Sequence, residues 1–265
     1  MLSPQTLVPH KRRISRAFGR KAVSYEGRAT VQSELITLLA EKIIASRQSG
    51  GRWADLGCGT GMFASVCGKK GFFRRFIGVD ISFEPLIIYN KKRISSSLTV
   101  QADISRLPLK KRTFDAAVCA STFQWLDNVP DVLKDIASIL KKGGLFAFSV
   151  FIQGSFRELL SVQRQFSIPA PVQCPETAGF VRALKDAGFE GIDYEEVEKT
   201  VHAPTAAMVL KNISAIGGTA TGAVRLLDRK EIAEFCSLYE AAFGSAAGVP
   251  LTYRAVIGRC RKGAL

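Results

Sequence analysis

An apolar stretch that ends in three alternating glycines constrains the fold of this chain more than any other feature. The stretch covers residues 53–56 and is followed directly by Gly57, Gly59 and Gly61. Because glycine has no Cβ, such a segment can turn sharply from a strand into a helix and lets the main chain approach a ligand closely. A second short strand ends in an acid, Asp80, where a carboxylate can bind both hydroxyls of a ribose. Together, the turn and the acid predict a cofactor that contains a nucleoside.

Three further residues indicate which cofactor this is. Asp55, at the end of the first strand, suits a cationic group such as the amino group of a methionine moiety. Ala64 stands where a pyrophosphate-binding turn would continue with another glycine, so the pattern does not favour a dinucleotide. Asp103 follows a third strand-like run and can accept a hydrogen bond from the amino group of adenine.

This set of residues resembles the class I S-adenosylmethionine-dependent methyltransferases. The resemblance implies that the cofactor is S-adenosylmethionine and that the glycine turn and the ends of the next strands bind it. The cofactor-binding residues that it implies are Asp55, Gly57, Cys58, Gly59, Gly61, Asp80, Ile81, Asp103, Ile104 and Ala120. Cys58 is expected to be a small filler in the turn and not a nucleophile.

Strand-like and helix-like segments alternate along most of the chain, which is typical of a parallel sheet. The predicted fold class is α/β, with a doubly wound, seven-stranded, mostly parallel, Rossmann-like sheet. An N-terminal helical arm precedes the sheet, and a helical insertion precedes the last strand, which is expected to be antiparallel. We expect a single domain with an arm and helix (1–46), a cofactor-binding core (47–152) and a helical cap (201–250). The cap is expected to cover the substrate, because a plain hairpin needs only a few residues.

Local signals also place individual helix ends. Ser82 is predicted to cap the helix that follows the second strand. Residues 141–144, Lys-Lys-Gly-Gly, are predicted to close a helix over 131–140 as a basic last turn and a glycine stop, ahead of a buried strand over 145–151. The glycine-rich segment 217–222 is predicted to be a hinge, because no strand precedes it.

Composition limits the classes of function. With 265 residues, 47% of them hydrophobic, the chain can bury a full core. It has no apolar run long enough to span a membrane. Six irregularly spaced cysteines and two histidines favour neither a disulfide framework nor a metal site. We therefore expect no metal, a reducing compartment (the cytoplasm) and a monomer.

A net charge of +14 and a pI near 9.7 predict an anionic partner. Three basic clusters, at 69–75, 91–93 and 110–112, lie in connections that lead to the amino ends of strands, opposite the predicted cofactor site. These clusters are expected to be solvated surface. Basic residues of the N-terminal arm and of the insertion are better candidates for contact with the partner.

Three segments outside the cofactor motifs narrow the resemblance. Together with Phe123-Gln124-Trp125 they are similar to the malonyl-[acyl-carrier protein] O-methyltransferases of biotin synthesis, over most of the chain. The segments are A-F-G-R-K-A-x-x-Y at 17–25, L-K-N-I-S-A-I-G at 210–217 and P-L-T-Y at 250–253. Because the similarity begins within the basic N-terminal arm, we expect that arm to belong to the enzyme and not to be a presequence.

That family transfers a methyl group to the free carboxylate of a malonyl thioester, which gives the methyl ester primer for pimeloyl synthesis. A carboxylate is ionised at pH 7 and needs no general base, so positioning and desolvation are the expected contributions of the enzyme. The implied partner is an acidic, malonyl-loaded acyl carrier protein, or malonyl-CoA, with no nucleic acid and no membrane. We expect Tyr25 to close over the cofactor, Arg20 or Lys211 to anchor the malonyl carboxylate, and Gln124 and Trp125 to face the substrate.

Three alternatives remain open. The first is another small-molecule O- or C-methyltransferase, acting on a quinone or phenolic acceptor, which would share the cofactor half. The second is a non-catalytic assembly protein, against which the intact glycine turn and ribose acid count. The third is an RNA methyltransferase. Only the positive charge indicates this class, since the N-P-P-Y-like loop after the fourth strand is missing.

Overall fold

The computed structural model describes residues 8–45, 51–72, 75–94, 97–166, 174–215, 217 and 228–264. Of the predicted hinge over 217–222, only Gly217 belongs to this part of the chain, and the rest lies outside it. In the same ranges, no helix is long and apolar enough to cross a lipid bilayer.

Strands and helices alternate through the first half of the chain. The strands are β1 (Arg52–Leu56), β2 (Arg75–Asp80), β3 (Leu98–Gln101), β4 (Phe114–Ala120), β5 (Leu140–Phe151), β6 (Phe189–Ala203) and β7 (Val249–Lys262). The helices are α1 (Pro9–Tyr25), α2 (Thr30–Ala45), α3 (Met62–Lys69), α4 (Phe83–Lys91), α5 (Val129–Ile139), α6 (Arg157–Gln163), α7 (Thr177–Asp186), α8 (Ala206–Ala215) and α9 (Arg229–Phe243).

The seven strands form one sheet in the order β3-β2-β1-β4-β5-β7-β6. Strands β1 to β5 pair in parallel, and β7 is antiparallel to both β5 and β6. Helices α8 and α9 lie between β6 and β7 in the chain. The predicted fold class, with its helical arm and helical insertion, is therefore confirmed. The finer division into arm, core and cap stays a prediction.

Large apolar side chains fill both faces of the sheet. On one face, Phe146 and Phe148 of β5 pack against Phe180 of α7 and against Phe123, with ring centroids 5.2 to 6.3 Å apart. On the other face, Trp53 is fully buried among apolar residues of the helices that cover β1. Burial on both faces explains why β5 is apolar from Leu145 onwards at every position except Ser149.

One predicted helix end is wrong. Residues 141–144 do not close a helix, because α5 ends at Ile139 and β5 begins at Leu140. Leu140 already pairs with Phe114, and the register then shifts, so the Lys-Lys-Gly-Gly segment forms an irregularity inside the strand. The Lys141 ammonium lies 2.7 Å from Asp115 Oδ1, which holds the segment against the neighbouring strand. The glycines therefore serve a bulge rather than a helix stop.

Ser82 occupies the predicted N-cap position of α4 but does not make the capping hydrogen bond. Helix α4 begins at Phe83, so Ser82 is its N-cap residue, yet its hydroxyl makes no capping hydrogen bond and is buried without a partner. Its amide instead donates to Asp80 Oδ1 at 2.8 Å. The short helix α6, which sequence patterns did not predict, follows β5.

The edge strand β6 is acidic. Its exposed positions carry five acids, in a chain whose net charge is +14. Two of these acids, Asp193 and Glu196, pair with Arg259 and Arg254 of β7 at 3.0 and 2.7 Å. The outer side of β6 makes no strand pairing within the described residues.

Candidate functional site

The three glycines of the turn after β1 all have a left-handed backbone, with φ of 70°, 51° and 79° at Gly57, Gly59 and Gly61. A Cβ at Gly57 would overlap the side chain of Thr122, and one at Gly61 would overlap the ring of Tyr89. A Cβ at Gly59 would meet only open space. The first and third glycines therefore allow close packing, whereas the second leaves room for a ligand.

A pocket opens beside this turn, at the carboxyl ends of β1 to β4. Including its open mouth, it holds about 1040 Å³ of empty space, which suits a small-molecule site. The strand order reverses between β1 and β4, where open α/β sheets bind their ligands. Nine of the ten expected cofactor residues line the pocket: Asp55, Gly57, Cys58, Gly59, Asp80, Ile81, Asp103, Ile104 and Ala120. The tenth, Gly61, is the N-cap residue of α3 and shapes the turn from behind.

Asp55 is an acid without a partner. Its side chain is buried, with 2% of its surface exposed, and its Oδ2 atom accepts no hydrogen bond. Burial and, after it, the nearby negative charge of Asp80 raise the pKa of Asp55 to about 7. A buried carboxylate in this state is stabilised by a cation. The ammonium of a methionine moiety would supply one.

Asp80 holds the glycine turn and still has acceptor capacity. Its Oδ2 atom accepts the Gly59 amide at 2.9 Å, and its Oδ1 atom accepts the Ser82 amide at 2.8 Å. Burial raises the pKa of this carboxyl, and these two hydrogen bonds oppose the effect. Because each carboxylate oxygen has two lone pairs, both oxygens can also accept a ribose hydroxyl.

Asp103 is already engaged by a residue that the sequence did not reveal as a site residue. Lys11 Nζ lies 2.6 Å from Asp103 Oδ2 and 3.0 Å from the hydroxyl of Ser105. The other oxygen, Oδ1, accepts the Ser105 amide at 2.9 Å. Asp103 is therefore bonded to the N-terminal helix, and its spare lone pairs could still accept a hydrogen bond from an adenine amino group.

Helix α1 forms one wall of the pocket. Five of its residues, spaced by three or four, line the cavity: Lys11, Ile14, Phe18, Ala22 and Tyr25. This spacing puts them on one face of the helix. The same spacing, extended back from Ile14, is the sequence signal that could have identified Lys11.

Aromatic side chains cluster in this wall. The ring of Phe18 lies between those of Tyr25 and Trp125, with centroids 5.9 and 5.3 Å away. Burial, with the charges of Asp80 and Glu26, raises the pKa of Tyr25, so its phenol stays protonated. Tyr25 and Trp125 therefore both line the pocket and both offer a hydrogen-bond donor.

Two of the segments that carry the family resemblance contact each other above the pocket. Lys21 of α1 donates hydrogen bonds to the carbonyl oxygen of Ser214, at the end of α8, and to its hydroxyl at 3.1 Å. A Cβ on Gly217 would overlap the ring of Phe18, so the chain beyond α8 packs directly on α1. The insertion thus touches the helix that lines the pocket.

Three predicted substrate residues lie elsewhere. Arg20 and Lys211 are exposed and do not line the pocket. Arg20 is on the face of α1 that points away from the cavity, because the lining positions are 18 and 22. Gln124 is buried behind the pocket, where its side-chain amide donates to the Ser121 carbonyl at 2.7 Å. None of the three therefore lines the pocket.

The pocket fits the parts of S-adenosylmethionine. The partnerless Asp55 suits its amino group, and the spare lone pairs of Asp80 suit its ribose. Ile81 and Ile104 provide apolar surface for adenine beside Asp103. The open space at Gly59 lets the main chain approach the cofactor.

Comparison with known proteins gives the same assignment. A family model described as "Methyltransferase domain" matches residues 54–148. The malonyl-[acyl-carrier protein] O-methyltransferase of Geobacter sulfurreducens is 28% identical over 260 residues, which cover 94% of this chain and 97% of that protein. The protein of the same name from Erwinia pyrifoliae is 25% identical, over 96% of this chain and 94% of its own length.

A solved structure shares the fold. The crystal structure of a methyltransferase from Bacillus halodurans superposes with a TM-score of 0.62 at 15% identity, covering 85% of this chain and 99% of that one. The expected resemblance to malonyl-[acyl-carrier protein] O-methyltransferases is thereby confirmed. Its sheet order, its pocket and these similarities support an enzyme with the class I methyltransferase fold that uses S-adenosylmethionine as the methyl donor.

Proposed function

We propose that this enzyme methylates the free carboxylate of a malonyl thioester carried by an acyl carrier protein. The product is a methyl ester, the primer for pimeloyl synthesis in biotin formation. Two malonyl-[acyl-carrier protein] O-methyltransferases align with this chain over 94% and 96% of its length. The proposal rests mainly on the chemistry of one part of the pocket wall, the part that does not include Asp55, Asp80 and Asp103.

That wall is neutral. It consists of Phe18 and Tyr25 from α1 and of Ser121, Thr122 and Trp125 after β4. None of these side chains is a general base at neutral pH, and the raised pKa of Tyr25 keeps its phenol protonated. A malonyl carboxylate is already ionised and reacts without a base. A phenolic acceptor, with a pKa of about 10, would need one. The wall therefore favours a carboxylate over a phenol.

Hydroxyl groups can position the acceptor. Bound S-adenosylmethionine supplies an activated methyl group, which passes to a carboxylate oxygen as its bond to sulfur breaks, leaving S-adenosylhomocysteine. The backbone of Ser121 is left-handed, with φ of 51°. A hydrogen bond of 2.9 Å from the Ser121 amide to the Ser149 carbonyl stabilises this conformation. Such strain costs about 1–3 kcal/mol and occurs preferentially at functional sites. We assign the donors for the malonyl carboxylate to the hydroxyls of Tyr25 and Ser121, in place of Arg20 and Lys211.

The proposed cofactor contacts follow the pocket. Asp55 binds the amino group, Asp80 the ribose and Asp103 the adenine amino group, while Gly57 and Gly59 let the main chain come close. Proximity of two oriented reactants contributes about 7–11 kcal/mol to a reaction of this kind. The enzyme's main task is then to hold the two substrates in line and exclude water.

The test is methyl transfer from labelled S-adenosylmethionine to malonyl carrier protein. Acetyl carrier protein is the control, because it lacks the acceptor carboxylate, and malonyl-CoA tests the carrier. We expect label on the malonyl substrates alone, in a base-labile ester. Tyr25→Phe should lower kcat and leave the affinity for S-adenosylhomocysteine unchanged. Label on a phenolic acceptor but not on malonyl carrier protein would refute the proposal, as would failure of a well-expressed protein to complement a biotin auxotroph that lacks this activity.

We also place the enzyme in the cytoplasm, as a monomer. All six cysteines are free thiols, which persist in a reducing compartment. Cell fractionation tests the location, and size-exclusion chromatography tests the oligomeric state.

A further inference from the structure

We propose that the outer face of α1 is the docking surface for the acidic carrier protein. The surface consists of Arg13, Arg16 and Arg20, which we call the arginine row. This inference rests on the proposed function and adds where the carrier binds. Carrier proteins of this class are acidic, so the row offers them the opposite charge.

Helix geometry places the row on the side of α1 opposite the pocket. Positions 13, 16 and 20 are spaced by three and four, so their side chains lie along one side of α1. The opposite side, with Ile14 and Phe18, lines the pocket. With a rise of about 1.5 Å per residue, the row is about 10 Å long. A carrier bound to it would be separated from the pocket by about one helix diameter, roughly 10 Å.

The row keeps its charge uncompensated. All three arginines are exposed, and none forms an ion pair within the described part of the chain. The charge of Arg20 also contributes, after burial, to a lowered pKa of Lys21. The three arginines of the row thus differ from Lys11 of the same helix, which is paired with Asp103.

Several basic residues elsewhere on the protein form ion pairs. Lys70 pairs with Glu41 at 2.9 Å, Lys92 with Glu26 at 2.5 Å, and Lys141 with Asp115 at 2.7 Å. These pairs belong to the clusters and loops at other parts of the surface. The row differs from these lysines, because none of its arginines has an ion-pair partner within the described residues.

An exposed apolar residue extends the row. Val23 follows Arg20 by three positions, on the same line of the helix, and is 94% exposed. Protein interfaces combine apolar contacts with a charged rim. Val23 thus gives the docking surface an apolar contact beside the arginines.

The test compares two charge-matched variants. Arg13→Glu/Arg16→Glu reverses two charges in the row, and Lys110→Glu/Lys111→Glu reverses two exposed charges before β4, at the opposite edge of the sheet. Acids in the first half of a helix are compatible with its dipole, so the first variant should fold, which circular dichroism can check. Each variant is assayed with malonyl carrier protein and with malonyl N-acetylcysteamine, whose carrier is small and uncharged.

The row variant should raise KM for malonyl carrier protein by about tenfold at low salt, with kcat unchanged. Its kinetics with malonyl N-acetylcysteamine should match those of the wild type, and the lysine variant should match the wild type with both substrates. Added salt should raise the wild-type KM for the carrier protein and reduce the difference between wild type and row variant.

Two results would overturn the docking surface. One is an unchanged KM of the row variant for the carrier protein. If this variant also bound an RNA oligonucleotide more weakly than the wild type, the row would be a nucleic-acid surface instead. The other is an equal rise of KM in the lysine variant. Failure of the proposed function looks different, because the wild type itself would then methylate neither malonyl substrate.

Discussion

The substitution Asp55→Asn should stabilise the apoenzyme and weaken cofactor binding. The native pKa of Asp55, about 7, lies roughly three units above the ordinary value of 3.8. Each unit corresponds to 1.36 kcal/mol, so an ionised Asp55 destabilises the fold by about 4 kcal/mol above pH 7. Asparagine has the same shape and no charge. At pH 8, the variant should therefore have a free energy of unfolding up to about 4 kcal/mol higher than the wild type.

The sign of the pH dependence follows from the raised pKa. Between pH 4 and 7, native Asp55 holds a proton that the unfolded chain has lost. The contribution of Asp55 to wild-type stability is therefore greatest below pH 4 and is lost as the pH rises through 7. The advantage of the variant should shrink to less than about 1 kcal/mol at pH 4.

Cofactor binding should change in the opposite direction. An ammonium binds ionised Asp55, so the wild-type affinity for S-adenosylhomocysteine should fall about tenfold for each pH unit below 7. In Asp55→Asn the affinity should be about 10- to 100-fold weaker at pH 8 and less dependent on pH. Urea unfolding of the apoenzyme and isothermal titration with S-adenosylhomocysteine, both at pH 5, 6 and 8, measure the two effects.

Asp115→Asn is the matched control. Burial alone would raise the pKa of Asp115, but hydrogen bonds from Lys141 and from the Arg52 amide lower it. This variant should therefore be less stable than the wild type at pH 8, with normal cofactor affinity. A destabilised Asp55→Asn apoenzyme at pH 8, or a wild-type affinity that is constant from pH 5 to 8, would refute the reasoning.

Three other substitutions test separate parts of the site and its support. Gly59→Ala should place a methyl group in the pocket and weaken binding of S-adenosylhomocysteine, at a stability cost of about 1 kcal/mol, whereas Gly61→Ala should mainly lower the melting temperature; equal effects of both on affinity would contradict the assignment. Phe18→Ala should lower kcat more than it weakens cofactor binding, because it removes the ring that packs between Tyr25 and Trp125. Steady-state kinetics measure the first effect and titration calorimetry the second. Glu158→Gln should reduce the free energy of unfolding in urea by about 1.5–3 kcal/mol, because the buried carboxylate accepts two hydrogen bonds from β7, and an unchanged value would exclude that role.

The cofactor half of the fold could be predicted from the sequence because its signals are local. The glycine turn, the strand before it and the acid that ends β2 each depend on a few neighbouring residues. The positions of Asp55, Gly59 and Asp80 at the pocket follow from the rule that strands of a parallel sheet end at the same edge.

The other half depends on packing between distant segments. Arg20 was expected at the substrate because its segment resembles a family motif, but the rotation of α1 on the sheet decides which face meets the pocket. Lys11 was missed for the same reason. Lys141 and its glycines illustrate a second limit, because a basic residue followed by glycine suits both a helix end and a strand bulge. Only the pairing of Leu140 with Phe114 distinguishes the two.

The acidic edge strand β6 has a consequence for solubility. An open sheet edge exposes backbone amides and carbonyls that another chain can pair with, and aggregation often begins there. Ion pairs line this edge of the sheet, such as those of Asp193 with Arg259 and of Glu196 with Arg254, and a second strand could join only by disrupting them. Concentrated protein should thus remain dispersed at neutral pH, and the lowered pKa of Asp193 and of Glu198 should preserve these pairs in mild acid.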